Sequence, residues 1–209
     1  MKGTVFLSKS KYCEFRQCPK AAWLQRHKPE TKTESDDALA RMQTGKEVGE
    51  LARGLFGPYT DVTVRSGDRL DLSAMISATG KELEKQTLVI CEASFAFNGL
   101  FCAVDILKRE NGGWAIYEVK SSTKAENPLY LTDVACQTYV LKHCGINVTG
   151  VYLVCLNNQY VYNGHLDLKQ LFRIVDMTDA AIEEPGPNYM HFPIDYRAGY
   201  DMEYFKGLI

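Results

Sequence analysis

"LFCAVDILKRENGGWAIYEVKSS", residues 100–122, sets apolar runs on either side of Asn111-Gly112. Asn-Gly between two such runs is a strong signal for a two-residue hairpin turn, because both central residues of that turn take positive φ. The stretch therefore reads as strands over 100–109 and 113–120. A second pair, Asn98-Gly99, closes a strand over 88–97 onto the first of these. The turns then fix the register. Across Asn111-Gly112 facing residues have numbers adding to 223, which sets Asp105 opposite Glu118, and across Asn98-Gly99 they add to 197, which sets Glu92 opposite Asp105. Three carboxylates form one row across three strands.

Neighbours in such a row stand about 5 Å apart, and like charges directly opposite each other destabilise a sheet. Lys120 lies two residues after Glu118, on the same face by the strand period, and brings one positive charge against three negative ones. A divalent cation with oxygen ligands completes the balance. Mg²⁺ or Mn²⁺ suits the row, since no His or Cys shares it. The competing reading puts these charges at solvent-exposed strand ends, or lets a bulge break the row. Glu-x-Lys alone is a common tripeptide, and it is the hairpin geometry that favours a metal site.

Outward from this core, Ser8 is an N-cap for a helix through about His27, and "KPETKTESDD" is a polar loop. A second helix over Asp36 to Phe56 carries the stripe Val48, Leu51, Ala52 and Leu55, and a third covers 71–86. "PLYLTDVACQTYVLKHCG" is a helix with Pro128 near its start and Gly145 at its end. "VTGVYLVCLN" is a strand, with "QYVYNG" as its partner, and Leu168 to Glu184 reads as helical until "EEPGP" breaks it. The order αααβββαβ implies an α/β fold, a mixed central sheet flanked by helices on both faces.

The composition, 209 residues with 45% apolar and 24% charged, is that of one globular domain. No run approaches the ~18 apolar residues of a membrane span, and "MKGTVFLSKSKY" lacks a signal-peptide core, so a cytoplasmic protein with no membrane partner is expected. Seven cysteines without a CxxC pair point to reduced, buried thiols rather than disulfides or a zinc ribbon. Residues 1–32 hold eight Lys/Arg against Glu14 and Glu30, a net +6 that leaves −8 for the remainder. Such a basic end suggests an anionic partner, although a solvated lysine-rich helix face explains it equally well.

Asp105, a gap of twelve residues, and then Glu118-Val119-Lys120 is similar to the D…ExK signature of the PD-(D/E)XK nuclease superfamily. Within it the chain resembles the RecB-like nucleases, which include the CRISPR-associated adaptation nucleases. Gln137 fits their downstream glutamine, and "LSKSKYCEFRQCPKAAWL" resembles their N-terminus. The resemblance implies a restriction-endonuclease-like core and a single nuclease domain over 1–209. It also implies a Mg²⁺- or Mn²⁺-dependent DNA nuclease, most simply an exonuclease, that leaves 5′-phosphate and 3′-hydroxyl ends. Asp105 and Glu118 would hold the metal with the carbonyl of Val119, and Glu92 would join from the row. Lys120 would orient the attacking water, and Gln137 would position water or DNA or else satisfy sheet-end carbonyls. DNA, as single strands or duplex ends, would be contacted by Lys11, Lys20 and Arg26, with Trp23 available for stacking or simply buried in the core.

Three departures from the family pattern stand out. "GKEVGE" has Gly49 where a histidine is usual; Glu47 borders the apolar stripe and Glu50 points away, which favours Glu47 as the substitute acid, with an ordinary surface acid as the equal alternative for either. Leu141 stands where a tyrosine often follows the glutamine. No cysteine follows Cys155, so no iron–sulfur cluster is expected, "GYDMEYF" having only Met202 where a ligand would fall, and Cys13 and Cys18 read as buried thiols. Two competing readings remain: a nuclease-like module that binds DNA or a partner without cutting, and the nuclease part of a longer protein. The oligomeric state is not set by the sequence.

Overall fold

The computed structural model describes residues 7–33 and 35–184. The chain begins with β1 (Leu7–Ser8), α1 (Lys9–Gln17), α2 (Pro19–His27) and α3 (Asp36–Ala52), the last running on into a 3-10 turn over Arg53–Phe56. Three short strands follow, β2 (Thr60–Asp61), β3 (Arg65–Ser66) and β4 (Arg69–Leu70), and then α4 (Leu72–Glu84). The long strands are β5 (Val89–Phe97), β6 (Leu100–Glu110) and β7 (Gly113–Lys120). The described chain ends with α5 (Pro128–His143), β8 (Val148–Leu156), α6 (Leu168–Leu171), β9 (Phe172–Asp176) and α7 (Thr178–Glu183).

Both Asn-Gly pairs turn as their sequence requires. Asn98 and Gly99 have φ of 48° and 78°, and Asn111 and Gly112 have 54° and 75°. Seven strands form one sheet in the order β2-β5-β6-β7-β8-β9 with β1 beside β6, while β3 and β4 pair separately. The pairs β5–β6, β6–β7 and β8–β9 are antiparallel, and β1–β6, β2–β5 and β7–β8 are parallel. Parallel neighbours need a crossover, and α5 supplies the one between β7 and β8. Asn127 caps it by accepting from Leu129 N–H, and Pro128 takes the first turn, where its missing N–H costs nothing.

Helices cover both faces of this mixed sheet, so the architecture is α/β. One apolar cluster joins Ile90, Val104, Leu107, Ile116 and Leu153 to Tyr12 of α1, Val134 and Leu141 of α5 and Ala181 of α7. The other joins Cys91, Ile106, Ala115 and Val154 to Val48 and Ala52 of α3 and to Leu55. The large aliphatic side chains among them are fully buried, each contributing ~1.5–3 kcal/mol relative to exposure. Among the described residues no helix is long and apolar enough to cross a membrane.

Several expectations need correction. The first helix is two helices, because Pro19 cannot continue the hydrogen-bond ladder and turns Cys18 to φ −156°, ψ 100°. Leu51 is 41% exposed and outside the buried stripe. β8 pairs with β9, not with "QYVYNG", and β9 interrupts the helix expected over Leu168 to Glu184. Phe172, Ile174 and Val175 are β-formers whose edge pairing outweighs the helical pattern. Cys18 is exposed, not a buried thiol; Cys91, Cys102, Cys136 and Cys155 are buried, and all seven cysteines are free. "EEPGP" from Pro185 onward and "GYDMEYF" lie outside the described residues.

Candidate functional site

The register around Asp105 follows the hairpin numbering. Cys91 faces Ile106 and Ala93 faces Val104 across one turn, and Ile106 faces Tyr117 across the other. At Asp105 itself the pairing lapses on both sides. On β5, Glu92 adopts φ 59°, and Ser94 N–H donates instead to Thr79 Oγ1 of α4 at 2.8 Å. The alternation of β6 slips here too: Val104 and Leu107, an odd number of steps apart, pack into the same cluster. On the other side the ladder with β7 stops after Ile106–Tyr117, and Val119 N–H donates to Asp105 Oδ2 at 2.7 Å. Beyond the gap β1 takes over the edge of β6, with Leu7 beside Leu100 and Ser8 beside Phe101. Asp105 stands in the fork between two strands that share one edge.

The fork opens into a cavity of about 410 Å³ lined by Asp105, Glu118, Val119, Lys120, Glu92, Asp133, Lys9, Ser10, by Gly45, Lys46, Gly49 and Glu50 of α3, and by Arg53 just after it. Two carboxylates and two ammonium groups alternate in a closed ring there. Lys9 Nζ lies 3.0 Å from Glu118 Oε1 and 2.8 Å from Asp133 Oδ1, and Lys120 Nζ lies 2.7 Å from Glu118 Oε1 and 2.6 Å from Asp133 Oδ2. Gln137, fully buried, donates from Nε2 to Glu118 Oε2 at 2.8 Å and to Asp133 Oδ1 at 3.1 Å, and its Oε1 has no hydrogen-bond partner among the described residues. Glu92 is held by Arg53 at 3.0 Å, and Arg53 also grips Asp61 at 2.5 Å.

Burial pushes Glu118 up to about 7, with the charges of Asp105 and Asp133 adding to it and the two lysines opposing it. Asp105 is raised for the same first reason. Burial also disfavours the Asp133 carboxylate, but Lys9 and Lys120 outweigh it and hold that group well below the usual range. Both lysines are raised because Glu118 and Asp133 overcome the cost of burying an ammonium ion. Of the two acids in the ring, Asp133 keeps its charge and Glu118 takes up a proton first.

The expected residues fall out unevenly. Asp105, Glu118, Val119, Lys120 and Glu92 line the same cavity, with Gln137 behind them, though Glu92 is already engaged by Arg53. Glu47 does not reach the cavity: it is exposed and accepts a hydrogen bond from Gln43 at 2.7 Å, while Glu50 lines the cavity. Preferring Glu47 assumed that the acid borders the buried stripe of α3, but the cavity lies off that stripe. Lys11 pairs with Glu14 at 2.8 Å and also bonds Gln25, whereas Lys20 and Arg26 are exposed. Trp23 stacks on His27 at 4.8 Å. Sequence reasoning missed Lys9, Arg53 and Asp133. The available signal for Asp133 was its place four residues before Gln137, on one side of an apolar helix.

The donors suit a hard cation. Asp105 and Glu118 offer carboxylate oxygens, and among the described residues Asp105 has no ammonium or guanidinium within ion-pair distance. No group of three or more His, Cys, Asp or Glu close enough to hold a metal occurs among the described residues. A hard cation such as Mg²⁺ or Mn²⁺ would have two protein carboxylates and water to bind here, rather than an all-protein cage. A larger cleft of about 680 Å³, lined by Phe56, Lys108, His165 and Lys169, has Asp167 as its single acid and lacks this chemistry.

No family model matches the chain, and no curated protein does. Among solved structures, the crystal structure of SSO0001 aligns over 85% of this chain and 69% of its own, with a TM-score of 0.36 and 8% identity. A likeness that slight carries no argument about function.

Proposed function

We propose that the chain is a metal-dependent DNA nuclease with a restriction-endonuclease-like core, acting on phosphodiester bonds at strand ends. One observation carries this: a half-buried Asp stands in a strand fork across from Glu118-Val119-Lys120, hydrogen-bonded to the backbone between the acid and the lysine. That arrangement gathers two ligand carboxylates and a lysine around one cavity. Asp105 and Glu118 would hold the cation, which when bound lowers the pKa of its water and offsets charge gathering on the phosphate. Lys120 contributes a fixed positive charge beside the carboxylates without competing as a hard-metal ligand. Asp133 and Gln137 hold Lys120 and Glu118 in place, a supporting shell whose loss loosens the site. Exposed Lys20 and Arg26 would contact the phosphate backbone.

The test is purified protein with end-labelled single- and double-stranded DNA in Mg²⁺, Mn²⁺ or EDTA, alongside Asp105→Asn. Cleavage that needs the cation and vanishes in the variant is the expected result. Binding of DNA without cleavage, or cleavage unchanged in Asp105→Asn, overturns the reading and leaves a nucleic-acid-binding module.

A further inference from the structure

The nuclease reading rests on Asp105, Glu118 and Lys120, and it leaves Lys9 without a role. Yet Lys9 is placed with care. It follows the N-cap Ser8 at the start of α1, directly after β1 has clamped onto β6, so the strand pairing that makes the fork also delivers its side chain. The side chain is 13% exposed. Its ammonium lies 3.0 Å from both oxygens of Glu118, spanning the face of the carboxylate that a cation needs. It also has a second acceptor, Asp133 Oδ1 at 2.8 Å, that does not depend on Glu118.

The charges of the cavity give this a purpose. Four lining acids, Glu92, Asp105, Glu118 and Asp133, meet Lys9, Lys120 and Arg53, and Arg53 is already shared between Glu92 and Asp61 beyond the lining. Lys9 and Lys120 are the cations left beside the two candidate ligands, and a cation on Glu118 would release Lys9 to face a phosphodiester.

We infer that Lys9 is a positioning residue that links cation occupancy to phosphodiester binding, with Asp133 as the acceptor onto which its ammonium withdraws; this rests on the nuclease reading. In the structure Lys9 covers Glu118. When Asp105 and Glu118 take up a cation, Lys9 yields Glu118, stays bonded to Asp133, and turns its charge toward the phosphate. Asp133 gives both ammonium groups an acceptor other than Glu118.

Two measurements on the whole chain test this: Mn²⁺ titration by calorimetry without DNA, and binding of a phosphorothioate oligonucleotide with and without Mn²⁺. Lys9→Met should bind Mn²⁺ about tenfold more tightly and Asp133→Asn about tenfold more weakly, at the low end of effects from groups around a metal. Lys9→Met should also lose most of the Mn²⁺-induced gain in oligonucleotide affinity, and Lys9→Arg should keep it. If the parent binds Mn²⁺ and cuts DNA while Lys9→Met retains that gain, or while both variants shift Mn²⁺ affinity the same way, this inference falls and the nuclease reading stands. A parent that binds no Mn²⁺ and cuts no DNA sinks both. Should Lys9→Met not fold, unchanged or tighter Mn²⁺ binding by Asp133→Asn overturns the inference alone.

Discussion

The two hairpins that share β6 have the same turn chemistry and opposite fates. Across Asn98-Gly99, β5 and β6 stay paired from Phe97–Leu100 to Val89–Lys108, skipping only Glu92. Across Asn111-Gly112, β6 and β7 pair as far as Ile106–Tyr117 and then part, leaving the rest of that edge to β1. Positive φ at both turn residues sets each register equally well. Where a ladder ends is decided elsewhere, by the strand and side chains that wedge into it. Charge follows the same division: on the closed side Glu92 is neutralised by Arg53, and on the open side Glu118 shares two ammonium groups with Asp133.

The strongest way to sharpen this contrast is Asp105→Asn. Its side-chain oxygen still accepts from Val119 N–H, so the fork and the fold should survive, while the lost ligand charge should cut turnover by more than ~10³-fold, beyond the typical loss of one positioned group. Single-turnover cleavage and circular dichroism on the same preparation check both halves. Lys120→Ala comes next, with turnover down ~10²–10³-fold and Mn²⁺ affinity retained. Full activity in either variant would move the chemistry away from the fork.

Smaller effects probe what surrounds the fork. Exchanging Lys20 and Arg26 for Ala should weaken DNA binding and lower the slope of log affinity against log salt by ~0.7–0.9 for each phosphate that is no longer neutralised. Adding Lys11→Ala should change little more, since Lys11 is already paired with Glu14. Turnover at saturating DNA should hold.

The turns themselves should behave alike. Gly99→Ala and Gly112→Ala each place a Cβ at positive φ and should cost ~1–2 kcal/mol in urea unfolding. A cost at Gly112 several times that at Gly99 would show that the β6–β7 turn also holds the fork open.

The least conspicuous expectation concerns pH. In EDTA, burial and the neighbouring acids raise folded Glu118 to about 7, whereas the unfolded chain releases that proton near ~4.3. Between these values the folded state binds more protons, so this group's contribution to stability is lost as pH rises through about 7. The melting temperature in EDTA should therefore fall from pH 5 to pH 8, less steeply in Glu118→Gln. A melting temperature with the same pH dependence in Glu118→Gln as in the parent would mean that its lysines keep Glu118 ionised throughout.

The strands β5 to β8, both turn registers and the gathering of Glu92, Asp105 and Glu118 in one cavity were legible in the chain, because they depend on local chemistry, Asn-Gly turns and a period of two; the direct facing of these three acids was not, since the ladders lapse at Asp105. Also legible was α5, from Pro128 to its closing glycine. The break at Cys18-Pro19 was readable in principle from proline's missing donor, although an apolar stripe running through it suggested one helix. Non-local decisions were not readable. β1 pairs with β6, nearly a hundred residues away, taking the edge of β6 beyond the gap at Asp105 and leading into Lys9, which bonds Glu118. Likewise Asp133 becomes part of the site because the α5 crossover lays one helix side over the end of β7, and Glu50 rather than Glu47 lines the cavity because of how α3 is rotated on the sheet. Sequence alone determined which residues pair across a turn; the tertiary structure decided which charges meet, because burial makes an unpaired charge too costly and packing selects the partners that relieve it.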